Sequence, residues 1–329
     1  MSRVELQDGS WHLLTLLEQA PGLRVMAETL ADMVDEGAPV VVGTADLKYS
    51  NGLYRFQERH PDRFVQFGVS EQNMISAAAG MATTGLRPHV ATFASFLALL
   101  CCEQIRTDIA YTAQPVRLIG HHAGLTLGFY GTSHHATEDL AIMRSIADLD
   151  VVAPADPTML GAAIRAYGAE DVPAYFRIGR GREPVVYRPD ELRFERGRAI
   201  EHGAGGDLTI IATGSMVHPA LQAAEELRQE GRAVGVVDMH TVKPLDVEAI
   251  VRAAERSGAL LTVEEHNVLG GLGGAVAEAI AEHRLDAGLW RHGVPDEFVP
   301  VGPPTHLYRH YRLDGPGIAA RAREVIAEA

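Results

Sequence analysis

Apolar residues in the first 180 positions alternate between short uninterrupted runs and longer amphipathic stretches. The runs, such as 39–43 and 89–93, are typical of strands buried on both faces of a parallel sheet. The stretches, such as 71–84 and 157–169, have the period of helices. Repeated strand–helix units with short loops predict an open parallel sheet with helices on both faces.

Two such series follow each other along the chain. The periodicity lapses between 181 and 203, where Arg, Pro and Gly predict a linker with one short strand. The sequence therefore predicts an α/β protein of two doubly wound domains, a mostly parallel-sheet domain over 1–190 and a smaller α/β domain over 191–329. We predict helices over 10–20, 24–36, 71–84, 95–113, 137–146, 157–169, 216–230, 246–257 and 273–283, and strands over 39–43, 63–67, 89–93, 116–120, 151–153, 174–178, 208–212, 234–238 and 260–264.

Composition narrows the functional class. The net charge of −14, without a basic stripe, argues against binding to nucleic acid or to an anionic membrane surface. No apolar run reaches the roughly 18 residues of a membrane span, and the N-terminus lacks a signal pattern, so we expect a soluble cytoplasmic protein. The two cysteines, Cys101 and Cys102, are adjacent and are expected to be small hydrophobic side chains rather than a disulfide or a zinc site.

Glu71 stands where a predicted strand runs into a helix, in the segment Phe67-Gly-Val-Ser-Glu-Gln72. A Glu in a first helical turn is commonly there because it interacts favourably with the helix dipole. The alternative is a carboxyl that stays protonated in an apolar cleft and donates a hydrogen bond, since desolvation favours the neutral acid. Phe93 and Phe96 follow 22 and 25 residues after Glu71, either as core residues or as a slot in which a flat ring stacks.

Two histidine pairs flank a glycine-rich loop: His121-His122 before it, and His134-His135 after it. Adjacent side chains on a strand diverge, and no acid or thiol lies at metal spacing, so a zinc site is disfavoured. The imidazoles suit a polyhydroxylated or anionic substrate, although helix capping and surface polarity would also explain them. Arg180, after a predicted strand, is either a solvated charge or a clamp for phosphate or sulfonate.

The segment Gly270-Gly-Leu-Gly-Gly-Ala-Val276 opens a helix but lacks the third glycine of a dinucleotide fingerprint, because Val276 occupies its place. We therefore interpret it as a tight loop with close helix–strand packing.

Five segments in order resemble the transketolase family over nearly the whole chain. They are Gly43-Thr-Ala-Asp-Leu-Lys-Tyr-Ser-Asn51, Gly68-Val-Ser-Glu-Gln-Asn-Met74, Thr92-Phe-Ala-Ser-Phe96, Val237-Asp-Met-His-Thr-Val-Lys-Pro-Leu-Asp246 and Val263-Glu-Glu-His266 through Gly274. With the Glu103-Gln-Ile-Arg106 segment and the length, the chain is most similar to the C-terminal subunit of split transketolases. That resemblance implies a pyrimidine-binding domain followed by a transketolase C-terminal domain.

The resemblance also implies roles for individual residues. Glu71 would be catalytic, donating to the aminopyrimidine ring of thiamine diphosphate, and His134 would contact substrate hydroxyls. Leu47, Phe93 and Phe96 would contact the cofactor. The positions that match those binding the acceptor sugar's phosphate are Arg24, Ser50, His122 and Arg180.

The glycine-rich loop departs from the family pattern. An acidic pair, whose Asp contacts a substrate hydroxyl, is usual where this chain has Phe129 and Tyr130, and Gln is usual where it has His135. A phenol still forms hydrogen bonds but is bulkier and uncharged, so Tyr130 is expected to contact substrate differently. Leu99 stands near the place of the third aromatic residue of the pyrimidine slot. The altered loop puts the ordinary pentose-phosphate substrates in question.

No Gly-Asp-Gly occurs anywhere in the sequence, although thiamine enzymes hold the diphosphate and its Mg²⁺ with that segment and a later Asn. The resemblance therefore implies a separate N-terminal subunit of about 250–300 residues that carries this motif. We expect self-association into a two-fold α2β2 heterotetramer with cofactor sites at the interfaces.

These observations favour a subunit that moves a two-carbon ketol unit from a ketose to an aldose. Two alternatives stay open. The first is the β subunit of a 2-oxoacid dehydrogenase or a related decarboxylating thiamine enzyme. The second is a non-catalytic binding or regulatory module, against which the presence of Glu71 argues.

Overall fold

The computed structural model describes residues 21–329, so the helix predicted over 10–20 lies outside the described residues. The first domain alternates helices and strands, as the hydrophobic pattern predicts. Its helices are α1 (Pro21–Asp35), α2 (Tyr54–Arg59), α3 (Glu71–Ala82), α4 (Asp139–Ser145) and α5 (Pro157–Gly168), and its strands are β1 (Val40–Thr44), β2 (Phe64–Gln66), β3 (Arg87–Phe93), β4 (Arg117–His121), β5 (Asp150–Val152) and β6 (Ala174–Arg177).

These six strands form one parallel sheet in the order β5-β6-β4-β3-β1-β2. Strands β1 and β4 are buried along their whole length, because helices cover both faces of the sheet. One apolar core packs α1 and α5 on the first face, and the other packs α3 and the 96–110 segment on the second. The carboxyl ends of all six strands therefore point to one edge.

The second domain repeats the arrangement around a sheet of five strands. Its strands are β7 (Ile200–His202), β8 (Leu208–Ala212), β9 (Val234–Asp238), β11 (Ala259–Asn267) and β12 (Gly288–Val294), and its helices are α6 (Val217–Gln229), α7 (Val247–Ser257), α8 (Leu272–His283), α9 (Pro304–His310) and α10 (Gly315–Glu328). The strands lie in the order β12-β11-β8-β9-β7, in which β7 pairs antiparallel with β9.

A strand that follows β9 in sequence joins the sheet of the first domain. Strand β10 (Thr241–Lys243) pairs antiparallel with β5, so the first sheet has seven strands. The Lys243 ammonium also donates to the Ile146 carbonyl beside this edge. Backbone pairing and a side-chain contact thus fix the two domains against each other.

The sequence pattern did not predict several elements, namely α2, β10, β12, α9 and α10. The segment predicted as mostly helical over 95–113 is divided into Phe96–Leu100, Cys102–Gln104 and Ile105–Ala110, the first and last of which have the wide turns of a π-helix. Such turns are frequent at functional sites. Between residues 21 and 329, no helix combines the length and the apolar character needed to cross a lipid bilayer.

Candidate active site at the carboxyl edge of the first sheet

Nearly all the side chains singled out from the sequence follow the carboxyl ends of parallel strands. Leu47 and Ser50 follow β1, and Glu71 follows β2. Phe96 follows β3, which ends at Phe93. The other three are His122 and His134 after β4 and Arg180 after β6. Because these ends share one edge of the sheet, the topology brings together residues that lie between positions 47 and 180 of the sequence.

Glu71 begins α3 and is 6% exposed. Its carboxylate accepts one long hydrogen bond, 3.5 Å, from the Thr92 hydroxyl on β3. The Cys101 thiol lies near enough that the charge of Glu71 adds to burial, the larger cause, in raising the pKa of that thiol to about 12. The carboxyl is therefore enclosed but weakly bonded within the described chain, and it retains capacity for another hydrogen bond.

The apolar residues near Glu71 in sequence differ in burial. Met74 and Ile75 on α3 are fully buried, whereas Val69, just before the helix, is 81% exposed. The apolar surroundings of this segment are therefore only partly enclosed by the described chain.

Aromatic rings surround the next part of the edge. Phe93 and Phe96 meet edge to face with ring centroids 5.3 Å apart. The His134 imidazole lies 5.1 Å from Phe93 and 5.3 Å from Phe96, and the Tyr130 ring lies 4.9 Å from His134. The structure therefore brings together the two phenylalanines and the two loop residues expected to touch cofactor or substrate. Leu99, near the place of a third aromatic residue, is 59% exposed.

The prediction that His121 and His122 diverge is wrong. Their Nδ1 atoms lie 2.7 Å apart, and both rings contact Phe93. The physical reason is that β4 ends at His121, and His122 has a left-handed backbone with φ of 57°, which breaks the alternation of side chains along the strand.

Both imidazoles of this pair are neutral at pH 7. Burial lowers the pKa of His121 to about 3. Burial, followed by His121, Arg180 and Arg182, lowers the pKa of His122 well below its ordinary value. One ring N–H therefore donates to the lone pair of the other ring. Burial also lowers the pKa of His134, so it too is available as a neutral hydrogen-bonding group.

Arg180 lies close to His122 and Tyr130. Burial, and secondarily the charge of Arg182, lowers the pKa of its guanidinium, whereas Tyr130 raises it. The backbone N–H of His122 donates to Gly179 O at 2.9 Å, which ties the loop of Arg180 to the histidine pair. This part of the edge thus has positive charge beside neutral donors and acceptors.

The remaining predicted residues lie nearby but bond elsewhere. The N–H of Gly22 donates to Gly181 O at 3.0 Å, which places the start of α1 against the loop of Arg180. On α1, Arg24 pairs with Glu28 at 3.5 Å. The Ser50 hydroxyl donates to Leu47 O at 3.1 Å. Neither Arg24 nor Ser50 bonds to His122 or Arg180 among the described contacts.

Sequence reasoning missed a support for the glycine-rich loop. Glu265, on β11 of the second domain, accepts hydrogen bonds from the Leu125 N–H at 2.6 Å, the Tyr308 hydroxyl at 2.7 Å and the Ser215 hydroxyl at 2.7 Å. It is 1% exposed, and a Cβ on Gly124 would clash with its carboxyl. The second domain therefore holds the start of the loop that carries Tyr130 and His134.

A second buried network supports the same region. The Arg177 guanidinium donates to Asp139 at 2.9 Å, and its other end donates to Glu265 O at 2.7 Å. The Tyr175 hydroxyl donates to the same Asp139 carboxylate at 2.8 Å. No sequence motif signals these contacts, because their partners are 36 to 88 residues apart.

A weakly bonded buried carboxyl at the same edge as two phenylalanine rings fits a flat heteroaromatic ring with a nitrogen acceptor. The hydroxyl of Ser95, which lies between the two phenylalanines in sequence, is also buried without a hydrogen-bond partner in the described chain. Among residues 21–329, no cluster of three or more His, Cys, Asp or Glu side chains is arranged to hold a metal ion. The edge can thus orient a ring and hydrogen-bond a polyhydroxylated molecule.

Comparison with known proteins identifies the fold and its domains. The transketolase pyrimidine binding domain matches residues 22–184, and the transketolase C-terminal domain matches residues 197–318. A "Putative transketolase C-terminal section" of Methanocaldococcus jannaschii is 40% identical over 90% of this chain and 93% of its own length. One subunit of an apulose-4-phosphate transketolase from Phocaeicola vulgatus is 36% identical over 91% of this chain and 95% of its own length.

A solved structure entitled "Split gene transketolase, inactive beta4 tetramer" superposes with a TM-score of 0.85 and 37% identity, over 93% of this chain and 98% of that chain. Both domains match in order, and relatives that are separate subunits match along almost their whole length. The chain belongs to the transketolase family, with the two domains of the C-terminal subunit of a split transketolase.

Proposed function

We propose that this chain is the pyrimidine-binding subunit of a thiamine-diphosphate-dependent split transketolase. The complex would move a two-carbon ketol unit from a ketose, such as a ketose phosphate, to an aldose acceptor. The observation that carries the proposal is the enclosed carboxyl of Glu71, 6% exposed and weakly bonded, at the same edge as the Phe93–Phe96 pair.

Each group at the edge has a role that its surroundings support. Glu71, as a neutral acid, would donate to the ring nitrogen of the aminopyrimidine, and Phe93, Phe96 and Leu47 would hold that ring. When bound, the cofactor supplies the nucleophilic carbon that carries the two-carbon unit, while the protein orients the reacting groups and excludes water. His134 and Tyr130 would contact substrate hydroxyls.

The acceptor end would be bound by a mixture of charge and neutral hydrogen-bonding groups. His122 is neutral because burial lowers its pKa, so the positive charge comes from arginine. A guanidinium can bind a phosphate or sulfonate through two parallel hydrogen bonds. The proposed ligands of that group are Arg24, Ser50, His122 and Arg180. A relative named for apulose-4-phosphate supports a sugar phosphate as substrate.

A second polypeptide would complete the site. The sequence lacks the Gly-Asp-Gly segment, so we propose that a separate N-terminal subunit holds the diphosphate and Mg²⁺. Four apolar side chains, just before α3 or in and just after the 96–110 segment that packs against it, are exposed and suit burial against that subunit: Val69 (81%), Leu99 (59%), Leu100 (49%) and Tyr111 (87%). The "inactive beta4 tetramer" of a relative supports self-association and inactivity of this subunit alone. The proposed assembly is a cytoplasmic α2β2 heterotetramer.

The test is ketol transfer by the chain reconstituted with the N-terminal subunit, thiamine diphosphate and Mg²⁺. Because general acid–base groups contribute roughly 10²- to 10⁴-fold, we expect Glu71→Gln to lower kcat by at least 100-fold. The matched control is Glu282→Gln. Glu282 is an exposed residue near the end of α8 in the second domain, and its replacement should leave kcat unchanged. Near-full transfer by the Glu71 variant would reject the proposal.

A 2-oxoacid substrate is the competing proposal, favoured by the uncharged Phe129 and Tyr130 in place of an acidic pair. The same reconstituted complex, supplied with pyruvate or branched 2-oxoacids, distinguishes the two. Decarboxylation without ketol transfer would assign the chain to that class. Absence of both activities in a complex that binds the cofactor would support a non-catalytic module.

A further inference from the structure

The imidazoles of His121 and His122 form a hydrogen bond to which the proposed ketol transfer assigns no role. Their Nδ1 atoms lie 2.7 Å apart, so one of these atoms carries a hydrogen and the other accepts it through a lone pair. A neutral imidazole has only one N–H, so a ring that carries its hydrogen at Nδ1 has a lone pair at Nε2. The direction of this one hydrogen bond therefore decides what each Nε2 presents.

Two arrangements of the hydrogens exist for the neutral pair. In the first, His121 donates from Nδ1, so its own Nε2 has a lone pair and the Nε2 of His122 is an N–H. In the second, His122 donates from Nδ1, so the Nε2 of His121 is an N–H and that of His122 has a lone pair. The surroundings of the two Nε2 atoms distinguish these arrangements.

The Nε2 of His121 is enclosed by the protein. His121 is 0% exposed, and its Nε2 is buried without a hydrogen-bond partner in the part of the chain that the structure describes. Among buried backbone groups, an N–H without an acceptor is rarer than a carbonyl without a donor. By the same physics a lone pair at the Nε2 of His121 is favoured over an N–H, which selects the first arrangement.

The Nε2 of His122 is the nitrogen left for a ligand. It forms no hydrogen bond within residues 21–329, and His122 keeps 4% exposure at the edge of the sheet where Arg180 and His134 also lie. The first arrangement gives this nitrogen an N–H. An ionised phosphate or sulfonate, like a carbonyl oxygen, offers acceptors only, so His122 can hydrogen-bond such a group in this tautomer and not in the other.

The charges around His122 do not reverse this choice. Burial first, and then His121, Arg180, Arg182 and His134, lower the pKa of its ring. A lone pair at Nε2 would suit the two guanidiniums, but neither donates to it among the described contacts. Arg180 is only partly buried and Arg182 is exposed, so water screens both charges. Their effect on the tautomer is therefore smaller than that of an N–H buried without an acceptor.

We propose that His121 is a positioning residue for the proposed ketol-transfer site. Its Nδ1–H donates to the Nδ1 of His122 and holds His122 in the tautomer whose Nε2–H is offered to the substrate. Phe93 packs against both rings, with centroids 5.0 Å and 5.4 Å from its own, and so limits their rotation. The contribution to substrate binding rests on the proposed function, whereas the tautomer of the pair is a property of the chain by itself.

The tautomers are measured by long-range proton–nitrogen NMR correlation on the full chain with nitrogen-labelled histidine, and single substitutions assign the signals. At pH 7, His121 should be the Nδ1–H tautomer and His122 the Nε2–H tautomer. His121→Asn should preserve the His122 signals, because the amide N–H can replace the Nδ1–H as donor. His121→Leu lacks a donor and should shift both His122 nitrogens toward a mixture of tautomers. The control is His283→Leu, at an exposed histidine on α8, which should leave them unchanged.

The same variants test the positioning role in the reconstituted complex with an aldose phosphate as acceptor. His121→Leu should raise the KM of the acceptor by about 2- to 10-fold, as expected for one neutral hydrogen bond, with little change in kcat, and His121→Asn should restore it. An Nδ1–H tautomer of His122 in the wild type, or His122 signals unchanged in His121→Leu, would overturn the inference. Equal KM values for the leucine and asparagine variants would overturn the positioning role. A wild-type complex without ketol transfer would contradict the proposed function and that role with it, while the NMR spectrum would still decide the tautomer.

Discussion

Glu265 links the second domain to the loop that carries Tyr130 and His134, and its replacement gives a sharp test of that link. Leucine has a similar volume but no acceptor. In Glu265→Leu, the Leu125 N–H and the hydroxyls of Ser215 and Tyr308 lose a partner that lies 2.6 to 2.7 Å away. A buried donor left unsatisfied costs about 1–3 kcal/mol.

Only the Leu125 N–H is fully buried, and the partly buried hydroxyls of Ser215 and Tyr308 lose less because water can reach them, so we expect a destabilisation of about 2–4 kcal/mol. Glu265→Gln should cost far less, about 1 kcal/mol, because the amide oxygen still accepts from Leu125 and Tyr308, and the Ser215 hydroxyl can turn to accept from the amide. Tyr308→Phe removes one donor and should also cost about 1 kcal/mol.

The assay is urea unfolding followed by tryptophan fluorescence in a Trp11→Phe background, in which Trp290 is the one tryptophan and reports on β12 of the second domain. With a slope of about 3 kcal/mol per molar urea, Glu265→Leu should lower the midpoint by about 1 M and the other two variants by less than about 0.5 M. Equal midpoints for the leucine and glutamine variants would refute the reasoning, since they would show that the three hydrogen bonds contribute little.

Two further perturbations test the packing and the buried charges. A Cβ on Gly120 would meet the Tyr175 hydroxyl at 2.5 Å, whereas a Cβ on Gly80 in α3 meets nothing within 4 Å. Gly120→Ala should therefore destabilise the chain by about 1–3 kcal/mol in urea unfolding. Gly80→Ala should stabilise it by about 0.5–1 kcal/mol in the same assay. Stabilisation by both substitutions would contradict the packing around Gly120. Burial raises the pKa of Asp238 to about 8, against the hydrogen bond from Tyr187, so the folded state holds a proton that the unfolded state releases above about pH 4. Wild-type stability should accordingly fall, relative to Asp238→Asn, by up to roughly 2–3 kcal/mol between pH 5.5 and 7.5, and a pH-independent difference would contradict that protonation state.

The sequence predicted the fold class and most of the strands because short apolar runs bounded by turn residues, alternating with longer amphipathic stretches, are typical of buried parallel strands and their helices. The same topology explains why the proposed site could be anticipated. Residues that follow strands in a parallel sheet, such as Glu71 and Arg180, meet at one edge whatever the details of the loops. The resemblance to a known family then assigned roles to individual residues, which the periodicity of the sequence alone does not do.

What the sequence did not predict depends on contacts distant along the chain or on single backbone angles. The convergence of His121 and His122 follows from one positive φ angle, which no side-chain pattern signals at a histidine. Glu265 bonds to Leu125 across 140 residues, and β10 is a three-residue strand that pairs with the other domain's sheet. Short strands of this kind and hydrogen bonds between distant residues produce no periodic pattern of apolar residues in the sequence.

The central claim is that Glu71 activates the aminopyrimidine of thiamine diphosphate. The most direct measurement is hydrogen–deuterium exchange at C2 of the thiazolium ring in the reconstituted complex, without any sugar, because it isolates cofactor activation from substrate binding. We predict exchange at least about 100-fold slower with Glu71→Gln than with wild type, and wild-type exchange with Glu282→Gln. Equal exchange rates for wild type and Glu71→Gln, with the cofactor bound in both, would contradict the claim.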